Sequence, residues 1–324
     1  MEEKQYYKEK RISNSSLKYF EQSPLTFKRF LDSELDQEEK QYFVRGKQIH
    51  MAILEPDEFK KNYTHLDFET PKSEQQKQFC DDYLKYLSLD KDEDTVLLNA
   101  YRDNYKLVKK DDVQLNDARI LKGKLSKYID YLNKRKQYKE ILSYSDWNKI
   151  QDLKEQIAKH KKANELLSND ELDTRQIHNE LVIFWEDPLY KLPCKSMLDR
   201  LIIDHEKKKI ILIDLKTANA FKEFKERCRE FSYFRQLAFY WYAVNWYFIN
   251  ALNKDIAEYE KETYIITLKT VDDPEVKVYN ISEGYLLEGW DELAVLLKEV
   301  EWHWTNDKWE YSRSYYLGDG DEKL

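Results

Sequence analysis

The stretch KSMLDRLIIDHEKKKIILIDLKT, Lys195 to Thr217, decides how this sequence is read. Its two halves are apolar, β-branched and of strand length, and HEKK between them is a polar break, so the pattern predicts an antiparallel hairpin. With Asp204 facing Lys209, the register sets Asp199 opposite Asp214. Opposed residues share one face with Cβ atoms about 4.5–5.5 Å apart. Period-two alternation adds Lys216 to that face.

Two carboxylates so close repel, and one pKa rises unless a cation lies between them. A divalent metal removes the conflict. Oxygen-only ligation favours a hard ion, Mg²⁺, with Mn²⁺ as a substitute. Such an ion lowers the pKa of a bound water and reaches a phosphate oxygen, and Lys216 then orients that water or stabilises charge developing on the phosphate. Singly, an Asp at a strand end is a cap and a terminal Lys is solvated; the three together point to chemistry.

The chain around this hairpin has 324 residues, 36% charged and 15% aromatic, with six Gly and six Pro, which favours long amphipathic helices over a turn-rich all-β design. Cys80, Cys194 and Cys228 form no CxxC pair, which disfavours a disulfide framework, a zinc knuckle and an iron–sulfur cluster. MEEKQYYKEKR lacks a signal-peptide core, and the most apolar stretch, Phe231 to Leu252, is interrupted by Arg235, Gln236 and Asn245, so a cytoplasmic protein without membrane contact is expected. Net charge is −8, yet Lys106 to Lys162 carries 16 basic against 8 acidic residues. That basic middle reads equally as solvated helix faces, as a phosphate-tracking surface or as a docking site for a protein partner.

The N-terminal residues offer Ser13 or Asn14 as a helix cap, then Ser23 capping a helix that starts at Pro24, then a third helix over 37–54. Residues 73–169 are helix-compatible and Lys-rich. From Glu180 the character changes to strand, strand, strand, helix, strand, and the final helix near 284–304 is expected to pack on the sheet before a polar tail. This divides a single domain over 1–324 into N-terminal helices (1–71), a helical insertion (72–170), a sheet core (171–275) and a C-terminal helix and tail (276–324).

MLDRLIID followed by IILIDLKT resembles the D…(D/E)xK core of the PD-(D/E)XK nuclease superfamily. GKQIH, Gly46 to His50, resembles the GxxxH motif of its RecB-type branch, and QLAFY, Gln236 to Tyr240, resembles the QxxxY motif. SNSSLKYFEQSPLTFKRFL, RGKQIHMAILEPDEF and NELVIFWED are similar to phage and prophage exonucleases of the exodeoxyribonuclease VIII type. The similarity spans roughly 11–63 and 145–270, and the helical segment between departs from it.

The resemblance implies an α/β restriction-endonuclease-like core, a central mixed sheet flanked by helices, with a large helical insertion. It implies metal-dependent DNA hydrolysis, most simply an exonuclease resecting duplex ends for recombination, alongside a single-strand annealing partner and a homo-oligomer. His50 becomes a metal ligand with Asp199 and Asp214, and Glu180 a fourth catalytic candidate. Gln236 holds a phosphate or base edge, Tyr240 stacks a frayed base, and Thr217 and Lys195 contact phosphate. RGK at Arg45 to Lys47 is no phosphate-cradling loop, so no ATP is called for. Two other readings stay open: an endonuclease or resolvase on the same core, and a non-catalytic DNA-binding recombination scaffold.

Overall fold

The computed structural model describes residues 2–35, 41–89, 92–106, 109–135, 140–168, 175–222 and 224–320. The chain forms two compact units, residues 1–55 with 153–324, and residues 56–152. The smaller unit overlaps the helical insertion expected over 72–170, whose last residues, 169 and 170, lie outside the described residues. Of the helix expected over 37–54, residues 37–40 lie outside the described residues, as does Asn169 at the end of the Lys-rich stretch. No helix of the described residues is long and apolar enough to cross a membrane.

The larger unit opens with α1 (Glu2–Lys8), α2 (Asn14–Phe20), α3 (Pro24–Leu31) and α4 (Gln41–Leu54). Ser13 caps α2 in a reciprocal pair with Ser16, and Ser23 caps α3 ahead of Pro24. The smaller unit contains α5 (Pro56–Asn62), β1 (Tyr63–His65), α6 (Glu74–Leu87), α7 (Glu93–Tyr105), α8 (Asp111–Lys124), α9 (Ser126–Lys134) and β2 (Glu140–Leu142), while α10 (Tyr144–Lys159) crosses the boundary. β1 and β2, unforeseen from sequence, pair in parallel. Phe79, Tyr83, Leu97 and Ile129 belong to this unit's own core. Much of its basic charge is paired: Arg119 meets both oxygens of Asp94 at 2.6 and 2.7 Å, Lys109 meets Asp117 at 2.8 Å, and Lys122 meets Glu93. Exposed pairs of this kind contribute about 0–1 kcal/mol each, and they fit the reading as solvated helix faces.

After α11 (Lys161–Leu167) the chain enters β3 (Gln176–Glu186), β4 (Pro193–Asp204) and β5 (Lys209–Ala218), then α12 (Phe224–Glu230) and α13 (Tyr233–Asn250). It ends with β6 (Glu260–Lys269), β7 (Glu275–Asn280), α14 (Glu283–Asn306) and α15 (Arg313–Leu317). The five strands lie in the order β3-β4-β5-β6-β7, antiparallel except for β5 and β6. This is the expected α/β core, a mixed sheet flanked by helices. Central β5 is buried without a break from Ile210 to Leu215, the pattern of a strand covered on both faces. Each of its Ile and Leu side chains contributes about 1.5–3 kcal/mol by burial, whereas Asp214 in the same run is buried at a cost. Edge strand β7, EVKVYN, was not foreseen, because its Glu and Lys mask a weak alternation.

The apolar residues of α14 meet α13 rather than the sheet, and α13 in turn packs on β3 and β4. The contact is tight at Gly289, where a Cβ would stand 2.2 Å from the Phe234 carbonyl oxygen and 2.8 Å from the Arg235 nitrogen. Main-chain atoms cannot yield as a side chain would. Gly46 differs, since a Cβ there would meet only Thr217 Oγ1 at 3.7 Å, an ordinary contact. Gly289→Ala should therefore lower stability by about 1–3 kcal/mol or more through overpacking. Gly46→Ala should hold or raise it by about 0.5–1 kcal/mol through helix propensity. Thermal unfolding of the two variants checks the contrast, and a Gly289→Ala protein as stable as the parent would contradict it.

Candidate active site

Three strands and one helix supply the site. β4 and β5 pair in the expected register, from Asp204 with Lys209 as far as Arg200 with Ile213. The ladder stops there, one step short of Asp199 and Asp214. Instead of a main-chain bond, the Leu215 N–H donates to Asp199 Oδ2 at 2.6 Å. On the other side of β4, the ladder to β3 pairs Asn179 with Arg200 and Leu181 with Leu198 but omits Glu180 and Asp199. Glu180 adopts φ 48°, a left-handed conformation that costs a non-glycine residue about 1–2 kcal/mol. Strain of this kind concentrates at functional sites.

The distortion has a use. Ligand atoms of Glu180, Asp199 and His50 all lie within 4.8 Å of one another. His50 comes from α4, whose last carbonyl, Leu54, accepts from Asn179 Nδ2 at 2.7 Å, while the buried Arg200 donates to Asn179 Oδ1 at 2.8 Å and to the Ser168 carbonyl at 2.7 Å. The neighbours of Glu180 and Asp199 along the strands thus tie the helix that bears the histidine. His50 Nδ1 stands 3.9 Å from Asp199 Oδ2. Burial, with the positive charge of Lys216, pulls the His50 pKa down to about 4 against the opposing charge of Asp214. The ring is therefore neutral at neutral pH, the state a metal ligand requires.

Asp214 is 1% exposed. Its Oδ1 accepts from Lys216 Nζ at 3.0 Å and from Gln236 Nε2 at 3.2 Å. Its Oδ2 lies 2.7 Å from Lys216 Nζ but accepts no aligned hydrogen bond among the described residues. Burial raises the Asp214 pKa to about 6, the Asp199 charge adding to the rise and Lys216 opposing it. Burial raises Asp199 as well, with Lys216 and the Leu215 N–H opposing. For Lys216, burial alone would lower the pKa, but Asp214 and Asp199 outweigh it and the net shift is upward. Lys216 is thus a fixed cation at neutral pH.

This donor set fits a divalent ion: three carboxylates, of which Asp214 keeps Oδ2 without an aligned hydrogen bond, one neutral imidazole, and an acidic charge beyond what Lys216 offsets. The imidazole makes the set less purely oxygenic than Mg²⁺ prefers, and it suits Mn²⁺.

Of the residues singled out from sequence, His50, Glu180 and Asp199 come together, and Asp214 and Lys216 lie beside them. The others find different work. Gln236 is turned inward, donating to Asp214 and to Tyr240 Oη at 2.8 Å, and Tyr240 is buried, so neither offers the expected base or phosphate contact. Lys195, expected on phosphate, is buried with its ammonium donating to the Tyr6 and Glu9 carbonyls, each at 2.7 Å, at the end of α1. A lysine on the last carbonyls of a helix is a cap. Half-buried Thr217 faces Gly46. Sequence reasoning missed Tyr233, whose ring lies 4.8 Å from Lys216 Nζ. Nothing in FSYFRQ distinguishes that tyrosine from its aromatic neighbours.

A family model described as "PDDEXK-like domain of unknown function (DUF3799)" matches residues 13–313. A crystal structure described as a "Putative exonuclease" from Eubacterium rectale matches at 12% identity and a TM-score of 0.37, covering 90% of this chain and 95% of that one. No curated protein matches.

The Asp214 carboxyl of the metal-free protein should titrate near 6 by carbon-detected NMR, and Lys216→Met, which removes an opposing positive charge, should push it higher. Since its folded pKa exceeds the ordinary 3.8, Asp214 adds stability that is full below about pH 4 and lost as pH rises through about 6. Gln236→Leu should cut kcat about 10- to 100-fold, as loss of an outer support does, with KM unchanged. A raised KM at constant kcat would restore Gln236 to substrate contact.

Proposed function

The chain belongs to the PDDEXK-like family, and from that premise we propose a divalent-metal-dependent deoxyribonuclease that hydrolyses DNA phosphodiester bonds. The observation that carries the reading is the cluster of His50, Glu180 and Asp199 beside the buried Asp214 and Lys216. His50, Glu180, Asp199 and Asp214 would hold the ion, Mg²⁺ or Mn²⁺. When bound it would supply Lewis acidity toward a phosphate oxygen and toward the attacking water.

The chain's own residues do the rest. Lys216, kept protonated by Asp214 and Asp199, acts as a donor and fixed positive charge toward the phosphate rather than as a base. Asp214 holds that ammonium in place, and Gln236 holds Asp214. Neutral His50 offers a ring nitrogen without competing for the phosphate as a cation. Asp214 is buried, which strengthens its contact with the ammonium.

The mode of attack is exonucleolytic in this reading, on duplex ends, with recombination as the setting and a single-strand annealing protein and a homo-oligomer as further expectations. Its support is the order of motifs from Gly46 through Tyr240.

The test uses linear duplex DNA beside covalently closed circles, in Mg²⁺, Mn²⁺ or EDTA. Linear DNA should disappear and circles survive, with no loss of either in EDTA. Lys216→Ala should reduce kcat about 10²- to 10³-fold, the cost of removing one preorganised donor. At a concentration about 100 times Kd, Mn²⁺ should stabilise the folded protein by about 2.7 kcal/mol, a gain that Asp199→Asn should abolish. Cleavage of the circles would make the protein an endonuclease. Absence of both turnover and metal stabilisation would sink the enzyme reading.

A further inference from the structure

Beside Lys216 runs a row of aromatic rings that the mechanism above leaves unused. Tyr233 lies under the Lys216 ammonium, and the Phe231 ring stands 5.8 Å from the Tyr233 ring at an interplanar angle of 29°. Beyond Tyr233 comes buried Phe224, at 6.5 Å, which stacks on Tyr279 at 4.3 Å. The row is anchored in the core at one end and open at the other, where Phe231 is 42% exposed.

The turn that presents Phe231 is specific. The Phe231 N–H donates to the Arg227 carbonyl at 2.9 Å and the Ser232 N–H to the Arg229 carbonyl at 3.0 Å. Ser232 then adopts φ 53°, left-handed without being glycine, to start α13. A conformation of that kind costs about 1–3 kcal/mol and persists only where the surroundings enforce it. The ring is held outward by a strained turn, two residues before the tyrosine on which the reactive lysine rests.

Half-buried Arg227, on α12, is close enough for its charge to act on the Tyr233 hydroxyl, and Lys18, exposed on α2, is close enough to act on Lys216. An exposed ring one aromatic neighbour away from a phosphate-directed lysine matches the alternation of base and phosphate along a nucleic acid strand.

We propose that Phe231 is a stacking platform for one nucleobase, that of the nucleotide adjoining the phosphate held at Lys216. The inference rests on the nuclease reading above and adds a substrate contact to it. Stacking uses the π-face that every base presents, so it confers no sequence preference. It does require a base that is out of its duplex stack. Phe231 therefore favours a frayed or single-stranded nucleotide next to the bond that is cut.

The experiment maps the cleaved bond in a defined oligonucleotide duplex, then places an abasic nucleotide immediately to one side or the other of it. Phe231→Ala should raise KM about tenfold on intact DNA, the loss expected for one stacked base, with kcat little changed. Phe231→Trp should retain the parent KM. For the parent, an abasic nucleotide on one side should also raise KM about tenfold, and Phe231→Ala should show no further loss on that substrate. The two changes would then be removing the same contact. A Phe231→Ala protein with the parent KM, or one that loses as much as the parent at the abasic nucleotide, overturns the inference and leaves Phe231 as a patch for a protein partner. Failure of the parent to cut either DNA in Mg²⁺ or Mn²⁺ would instead defeat the nuclease reading itself.

Discussion

The constraint on which the rest depends is the burial of Asp214, paired with half-buried Lys216, at the end of an apolar strand. Ile213 and Leu215 flank Asp214 on β5, and Ile265 is its partner on β6, all buried. Removing charges from water costs several kcal/mol per ion, and their mutual attraction offsets this only where the geometry is close and remaining lone pairs find donors. Here the ammonium sits 2.7–3.0 Å from the carboxylate and Gln236 serves one further lone pair. The compensation is incomplete, as the raised Asp214 pKa records. The negative charge left uncompensated within the protein is what would favour a cation there under the nuclease reading.

A sheet that zipped fully would spoil the arrangement. If β4 and β5 continued their ladder one step further, the Leu215 N–H would be lost to Asp199, and the two carboxylates would face each other without a donor between them. The strands part instead at Arg200 and Ile213. The opening is stabilised from outside the pocket. Arg200 and Asn179 fasten the end of α4, while buried Arg235 donates to Asn14, Glu21 and Glu292, tying α2 and α14 to the helix that carries Gln236. The bare backbone of α14 at Gly289 lets it approach α13 closely. Residues distant from the carboxylates thus fix their spacing.

How much of this is legible in the sequence follows from the range of the forces involved. The hairpin register is readable because strand alternation and a polar turn are local, and Asp199, Asp214 and Lys216 follow from counting. The helices bearing His50 and Gln236 are readable from periodicity and motif. The inward role of Gln236 is not, because it depends on how α13 lies over β3 and β4. Lys195 looks like a phosphate ligand until α1, unremarked in MEEKQYYKEKR, ends with its carbonyls at the ammonium. The left-handed Glu180 leaves no trace in composition, since a glutamate gives no sign of the conformation imposed on it. What the sequence conceals is tertiary, and in each case it sets the direction of a side chain rather than the presence of an element.

The charge of the pocket also orders the events at it. Glu180, Asp199 and Asp214 against Lys216 leave a formal −2 with His50 neutral, and at short range in a water-poor pocket like charges repel by several kcal/mol. A phosphodiester brings another negative charge. The surrounding chain does not help, since its net charge is −8 and the paired bases of the helical unit neutralise their own acids. Under the nuclease reading, DNA therefore meets a repulsive pocket until a divalent cation is bound, and the cation must precede productive engagement. The exposed ring of Phe231 carries no charge and so escapes that repulsion. Under the stacking proposal it can hold a strand before the carboxylates accept it, which would separate capture of a DNA end from commitment to cutting it.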